Sequence, residues 1–411
     1  MMDALVERAL NGRTPKARIV ILDRSRVEAR IKCPELRWQH YHVPVQRVVE
    51  GQPGIGYGVM RRPSAVPLAT GIVVHHGLAL YMQGASEDEA VKEALHEYDK
   101  IVASRGLQAQ IGTPMAWTIK EQRGLSEGLI RIGIRRAASK LMKNYEVLAV
   151  EEEVLVWLGD VEDSRGGVTF LWAGRLDALL AHQGNAYVLN WKTQKQWRDT
   201  DAERLPLDMQ TAGEAWAAEQ FYGRAVGNVQ YIYLIKGERR KSPETGHKVT
   251  YSHIVRGWKA IDPLLGSWKY AWNYYKIGTK SQTLSKGVGF STFEDYPGGV
   301  KAWIDALDRQ DLILPLEADP LEEVLRVPAV VSATPQRIDR WQAQTLRDEH
   351  RWLLDMEDGR PPSRNENGYI CGTGDWKCPM WEVCHAGESI DHPELYMPRD
   401  PNHPVEESVW G

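Results

Sequence analysis

The sequence predicts an α/β protein, a mixed sheet flanked by helices, with mainly helical regions before and after the sheet. Two observations carry this. Residues 146–258 run largely in short apolar segments rich in β-branched and aromatic residues, as strands do, interrupted by one helical stretch. On either side the apolar residues recur at helical spacing, and strand-strand-strand-helix-strand is the core of a sheet with a helix packed on it. Three regions are expected: a helical region 1–145, a sheet core 146–260 and a helical region 261–411.

In order along the chain, Ser86-Glu87-Asp88-Glu89 is a capping box that starts a helix. Behind it Ala90, Val91, Ala94, Leu95, Tyr98, Ile101 and Val102 recur at helical spacing. A second helix is expected over 118–143, with Arg131, Arg135, Arg136, Lys140 and Lys143 on one basic face. Strands follow at Glu146–Leu158, Val168–Leu180 and Ala186–Trp191, separated by Gly, Asp, Ser or Asn. Next come a helix near 202–223 and two strands, 227–237 and 248–258, around the charged loop GERRKSPETGHK. The last third reads as helices (WKYAWNYYK, GGVKAWIDAL, DPLEEVLR and QRIDRWQAQTLRDEHRWLLDM), a Cys-bearing loop and an extended Pro-rich tail.

Composition narrows the function. The chain has 411 residues, 43% hydrophobic and 26% charged, which suits a folded globular protein rather than a disordered or fibrous one. Lys and Arg number 51 against 55 Asp and Glu, a net charge of −4, so any polyanion site must come from local charge. No apolar run reaches the roughly 18 to 20 residues that cross a bilayer, and Asp3 and Glu7 stand where a signal peptide would be apolar. The expectation is a cytoplasmic protein without a membrane partner. Four cysteines are too few for the disulfide framework of a small secreted domain, and clustered cytosolic cysteines more often hold metal.

The chemistry concentrates in GRLDALL (174–180) followed by YVLNWKT (187–193). Hairpin spacing brings Asp177, Asn190 and Lys192 to one sheet edge, and strand alternation points 190 and 192 to the same face. Phosphodiester cleavage uses such a set: carboxylates hold Mg²⁺ or Mn²⁺, and a lysine meets the attacked phosphate. A solvated acid, a strand-end amide and a surface lysine are the bland alternative.

GRLDALL, VLNWKT and LDMQTAGEAWAAEQFYG resemble the PD-(D/E)XK nuclease superfamily, in particular its RecB-type exonuclease branch, with Gly-x-x-Asp, Asp-x-Lys-Thr and then Gln-x-x-x-Tyr. Gly71-Ile72-Val73-Val74-His75 is similar to that branch's Gly-x-x-x-His, with His76 as the competing choice. The resemblance implies a restriction-endonuclease-like fold, His75 and Asp177 as metal ligands with residue 190 and the Trp191 carbonyl, Lys192 as catalytic lysine, and Gln210 on a helix lining the DNA path. Two positions depart. Asn190 stands where the family has its second acid, and Glu214 where it has Tyr. An amide oxygen can ligate Mg²⁺ but brings no charge. Either the site is impaired or substituted, or a displaced acid such as Glu153 or Glu214 compensates.

Cys371-x6-Cys378-Pro379-x4-Cys384, with Cys33 far upstream, resembles the iron-sulfur members of these nucleases, the AddB helicase-nuclease subunit and CRISPR-associated exonucleases. That resemblance implies a [4Fe-4S] cluster stapling the chain ends. Zinc is the competing metal, and His385 adjoins Cys384. The expected activity is metal-dependent DNA cleavage, on single strands or duplex ends. The alternative is an inactive nuclease-like fold that binds DNA or scaffolds a recombination or phage replication partner. A purely structural metal protein would bind no DNA.

Overall fold

A computed structural model describes residues 2–42, 44–49, 52–57, 59–61, 66–104, 114–236, 238–241, 248–251, 301, 324–360, 362, 371, 378–386, 389 and 396–398. The chain begins with helix α1 (Met2–Leu10), strand β1 (Arg18–Leu22) and helices α2 (Arg24–Lys32) and α3 (Pro34–Tyr41). Strands β2 (Pro44–Val49), β3 (Gln52–Tyr57) and β4 (Val59–Arg61) lead to helices α4 (Val66–Met82), α5 (Glu87–Ser104) and α6 (Pro114–Gly133). After a π-helical turn at Ile134–Ala138 and α7 (Ser139–Asn144) come the long strands β5 (Glu146–Val161), β6 (Val168–His182) and β7 (Asn185–Gln194). Helices α8 (Asp199–Arg204) and α9 (Met209–Tyr222) precede β8 (Asn228–Ile235), β9 (Glu238–Lys241) and β10 (Lys248–Tyr251). Strands β11 (Leu325–Arg326) and β12 (Val331–Ser332), helices α10 (Pro335–Glu357) and α11 (Trp381–Ala386) and strand β13 (Tyr396–Pro398) complete the described chain.

The three central strands form where β-branched and aromatic residues were expected to make them. Gln183 and Gly184 both take positive φ (50° and 81°), the backbone of a two-residue hairpin turn between β6 and β7. The Ser86 capping box is formed: Glu89 N–H donates to Ser86 Oγ at 3.3 Å, and Ser86 N–H to Glu89 Oε2 at 2.9 Å. Three helices differ from expectation: the end of DPLEEVLR, Leu325–Arg326, is instead strand β11 paired with β8, and the other two are broken. The helix expected over 118–143 is interrupted by its π-helical turn, and the one near 202–223 divides at Pro206 and Asp208. Asp208 caps α9 by accepting from Gln210 N–H at 2.8 Å, and Gly223 ends it in a left-handed conformation. The segments WKYAWNYYK and, apart from Lys301, GGVKAWIDAL lie outside the described residues, as do most of the Lys236–Lys248 loop and the Pro-rich tail.

The first 145 residues are not only helical, because β1 joins the sheet. Seven strands run β1-β6-β7-β8-β11, with β12 also on β8 and β5 on β6. Strand β6 is antiparallel to β5 and β7 and parallel to β1, and β7 is parallel to β8. Strand alternation divides the core between two faces. Leu189, Trp191, Ile232 and Leu234 pack with α4, α5 and α6. Val188, Val229, Tyr231 and Tyr233 face the other way and pack with α9 and α10. Helix α4 is apolar nearly all round, as a helix enclosed by its neighbours must be. Its Gly71 sits so close to β7 that a Cβ would lie 3.0 Å from Thr193 Oγ1.

Strand β5 pairs with β6 from Val168 to Ala181, so the other edge of β6 is shared. There β1 pairs with Val168–Trp172 and β7 with Ala178–His182. Among the described residues no strand lies beside 173–177 on that edge, and beyond Leu189 strand β7 leaves β6 and continues along β8. This fork positions the site.

Candidate active site

The fork holds a cleft of about 300 Å³. Its walls are Ala173–Asp177 of β6, Asn190 of β7, Gln210 and Glu214 of α9, and Asp23 and Arg24 at the start of α2. A continuous ladder would have sealed it. Beside the gap His75 of α4 reaches Asp177 from one face, while Gln210 and Glu214 of α9 reach Asn190 from the other.

Asp177 is the centre. Freed from the β6 ladder, the Trp191 N–H is bonded by Asp177 Oδ2 at 2.7 Å, so the carboxylate replaces a missing strand partner. Its Oδ1 lies 3.5 Å from His75 Nδ1. Burial works to raise the Asp177 pKa, yet His75, the Lys192 charge and the Trp191 amide together hold it below the ordinary aspartate value. Asp177 is therefore an anion at neutral pH. His75, not His76, is the histidine that reaches it, one helical turn after the close approach of Gly71 to β7.

Asn190, 2% exposed, donates from Nδ2 to Glu214 Oε2 at 2.5 Å. Gln210 Nε2 donates to Glu214 Oε1 and, at 3.3 Å, to Asn190 Oδ1. Burial raises the Glu214 pKa and the negative charge of Asp177 adds to it, against the attraction of Lys192 and the two amides. Lys192 Nζ stands 6.0 Å from the centre of the Tyr231 ring, and its charge acts on both carboxylates. Gln210 is itself buried, so it orients Asn190 and Glu214 from within. Its Oε1 is buried and has no hydrogen-bond partner among the described residues. Of the two displaced acids considered, Glu214 lies in the cleft, whereas Glu153 is exposed on β5 and does not line it.

Residues 25–385 match the family model of the PD-(D/E)XK nuclease superfamily. The chain belongs to that superfamily. Comparison with curated proteins returned no match. In this PD-(D/E)XK chain the helix, three strands, helix and strand that carry the site are α4, β5, β6, β7, α9 and β8. The fold is the mixed α/β architecture expected from the sequence.

Among the described residues, no three His, Cys, Asp or Glu side chains stand ready as a metal cage. The hydrogen bonds explain this, since both Glu214 oxygens are turned toward amide donors. The donor chemistry nevertheless suits a hard cation: two carboxylates, the Asn190 amide oxygen and the orphaned Gln210 Oε1 are oxygen ligands of the kind Mg²⁺ and Mn²⁺ take.

The expected basic face is realised only in part: Lys140 and Lys143 are exposed, but Arg131 and Arg135 are taken up by acids. Arg131, its side chain 6% exposed, is bonded to Glu87, Asp88 and Glu127 at 2.7–2.9 Å, and Arg135 to Glu87 at 2.7 Å. These charges hold α6 to α5. Sequence reasoning also missed Glu151, Arg175 and Arg24. Glu151 Oε2 lies 3.0 Å from Arg175 Nε, and Arg24 feels Glu214 and Asp208 although its own hydrogen bond is to Glu28 at 2.5 Å.

The cysteines share a neighbourhood. Cys33 is the N-cap of α3, whose Leu36 packs with Cys378, Cys384, Met380 and Tyr396. Cys378 N–H donates to the Cys371 carbonyl at 2.7 Å. Burial pushes the Cys378 thiol pKa up, and the nearby Cys33 and Cys371 add to the shift. No helix among the described residues is long and apolar enough to cross a membrane.

Proposed function

We propose that the protein is a divalent-metal-dependent DNA nuclease of the RecB-type branch, acting on single strands or duplex ends. The observation that carries the reading is the convergence of His75, Asp177, Asn190, Lys192 and Glu214 at one fork in the sheet. Asp177 and Glu214 would hold the cation, with the amide oxygen of Asn190, the carbonyl of Trp191 and His75 as further donors. Glu214 stands in for the acid absent at 190, which is why Asn190 and Gln210 aim their amide donors at it. A bound cation would activate water and neutralise charge on the phosphate. Lys192 faces the scissile phosphate as a fixed positive charge, and Asp177 stays ionised through its contacts with His75 and Lys192. Gln210 sets the direction of Glu214. Four thiolates from Cys33, Cys371, Cys378 and Cys384 hold a [4Fe-4S] cluster, or zinc, between α2–α3 and the C-terminal segment.

The test is degradation of single-stranded and blunt-ended DNA with Mg²⁺ or Mn²⁺. Asp177→Asn and Lys192→Ala are expected to lower the rate by about 10²-fold or more, the scale on which positioned charges act in transition states. Asn190→Asp is expected to raise it. An absence of cleavage by both the natural chain and Asn190→Asp over that panel would overturn the enzymatic reading. Asn190 itself favours a second reading, a nuclease fold that binds DNA without cutting. That protein would hold DNA equally well in chelator, which a cation-bridged nuclease complex would not.

A further inference from the structure

A residue other than glycine with a left-handed backbone inside a strand is uncommon, and such strain gathers at functional sites. Glu151 is one, with φ at +53° within β5. It stands opposite Asp177, between the ladder pairs Val150–Ala178 and Glu152–Leu176. Residues directly or diagonally opposed across an antiparallel pair share a face, which is how Glu151 reaches Arg175, a residue of the cleft wall, at 3.0 Å. The charges of Asp177 and His75 both act on the Glu151 carboxyl. Glu151 borders the cleft through Arg175 and Asp177, which line it, and within the cleft the buried Gln210 Oε1 accepts no hydrogen bond from the described residues.

We propose that Glu151, bordering this cleft behind Arg175 and Asp177, is a further cation-holding residue, supplying from β5 negative charge that Asn190 withholds, with Arg175 as its resting counter-ion. This rests on the reading of the cleft as a divalent-metal site. Arg175 occupies the carboxylate until a cation arrives and is then released toward the open mouth, where its side chain is already 60% exposed.

Mn²⁺ binding, followed by calorimetry and by the loss of the free-ion electron paramagnetic resonance signal, tests this without reference to activity. Glu151→Gln should weaken Mn²⁺ binding by about ten- to a hundredfold, the usual effect of removing a group close to a metal. Glu151→Gly should lose the same affinity while raising Tm, because glycine adopts the left-handed backbone without penalty. Arg175→Gln should tighten binding. A merely structural Glu151–Arg175 pair would give the opposite pattern, with Tm lowered and Mn²⁺ affinity unmoved, and that result would overturn the proposal. Asp177→Asn separates the two levels. If it abolishes Mn²⁺ binding while Glu151→Gln and Glu151→Gly bind as the natural chain does, Glu151 is excluded and the metal-site reading stands. If the natural chain takes up no Mn²⁺, both readings fall.

Discussion

The two ends of strand β6 treat charge in opposite ways. Near its start, α10 is clasped by ion pairs: Asp163 meets Arg18 and, at 2.9 Å, His350, while Glu357 lies 2.5 Å from Arg18 and 2.8 Å from Arg165. The clasp continues along α10, where Glu349, 1% exposed, takes Arg37 and, at 2.7 Å, Arg30. Near the other end, Glu214 is a buried acid bonded to amides rather than to a protein cation, and its pKa is raised, chiefly by burial. Asp163 lies far on the other side of the ordinary carboxylate value, chiefly through its bond to His350. A carboxylate satisfied by protein cations contributes to the fold. One buried beside another carboxylate and held only by amides has the chemistry that the proposed cation requires.

Three measurements would break or sharpen that contrast. The largest effect is expected in the clasp: Glu349→Ala leaves Arg37, 2% exposed, without its anion, and should cost about 3–5 kcal/mol in denaturant unfolding. A loss under 1 kcal/mol would mean that the clasp is dispensable. In the cleft, Asn190→Asp sets a second acid against Glu214 and removes the amide donor. It should destabilise the metal-free protein by about 1–3 kcal/mol and be rescued by Mn²⁺, since a ligand that binds only the folded state adds stability. Destabilisation without rescue would detach the cleft from cation binding. The smallest effect concerns acid. With its folded pKa depressed, Asp163 contributes stability that is present above its unfolded value near about 3.9 and lost as pH falls toward its folded value. Asp163→Asn should therefore lower Tm at neutral pH and flatten its decline on acidification below about pH 4. An unchanged acid profile would show that other carboxylates govern it.

Much of this was legible in the residues. Asp177, Asn190 and Lys192 fall within one hairpin, so local spacing and a period of two bring them together. Gln210 and Glu214 are one helical turn apart, which also made Glu214 readable as a displaced acid. Arg131 misled because a basic stripe looks alike whether it faces solvent or, as here, Glu87 and Asp88 on another helix. Glu151 was hidden in the run Glu151-Glu152-Glu153, where nothing local marks the one residue whose backbone turns left-handed.

By itself the sequence determined the long central strands, the Ser86 cap and the identity of the ionisable groups, because these follow from periodicity and from contacts a few residues apart. The tertiary structure alone decided that β1 and β7 share one edge of β6 and leave a gap between them. Through that gap His75, more than 100 residues before Asp177 in the chain, reaches it from one layer while Glu214 reaches the same cleft from the other. Which carboxylate ends beside an arginine and which beside another acid depends on how distant elements pack, and local pattern carries no record of that.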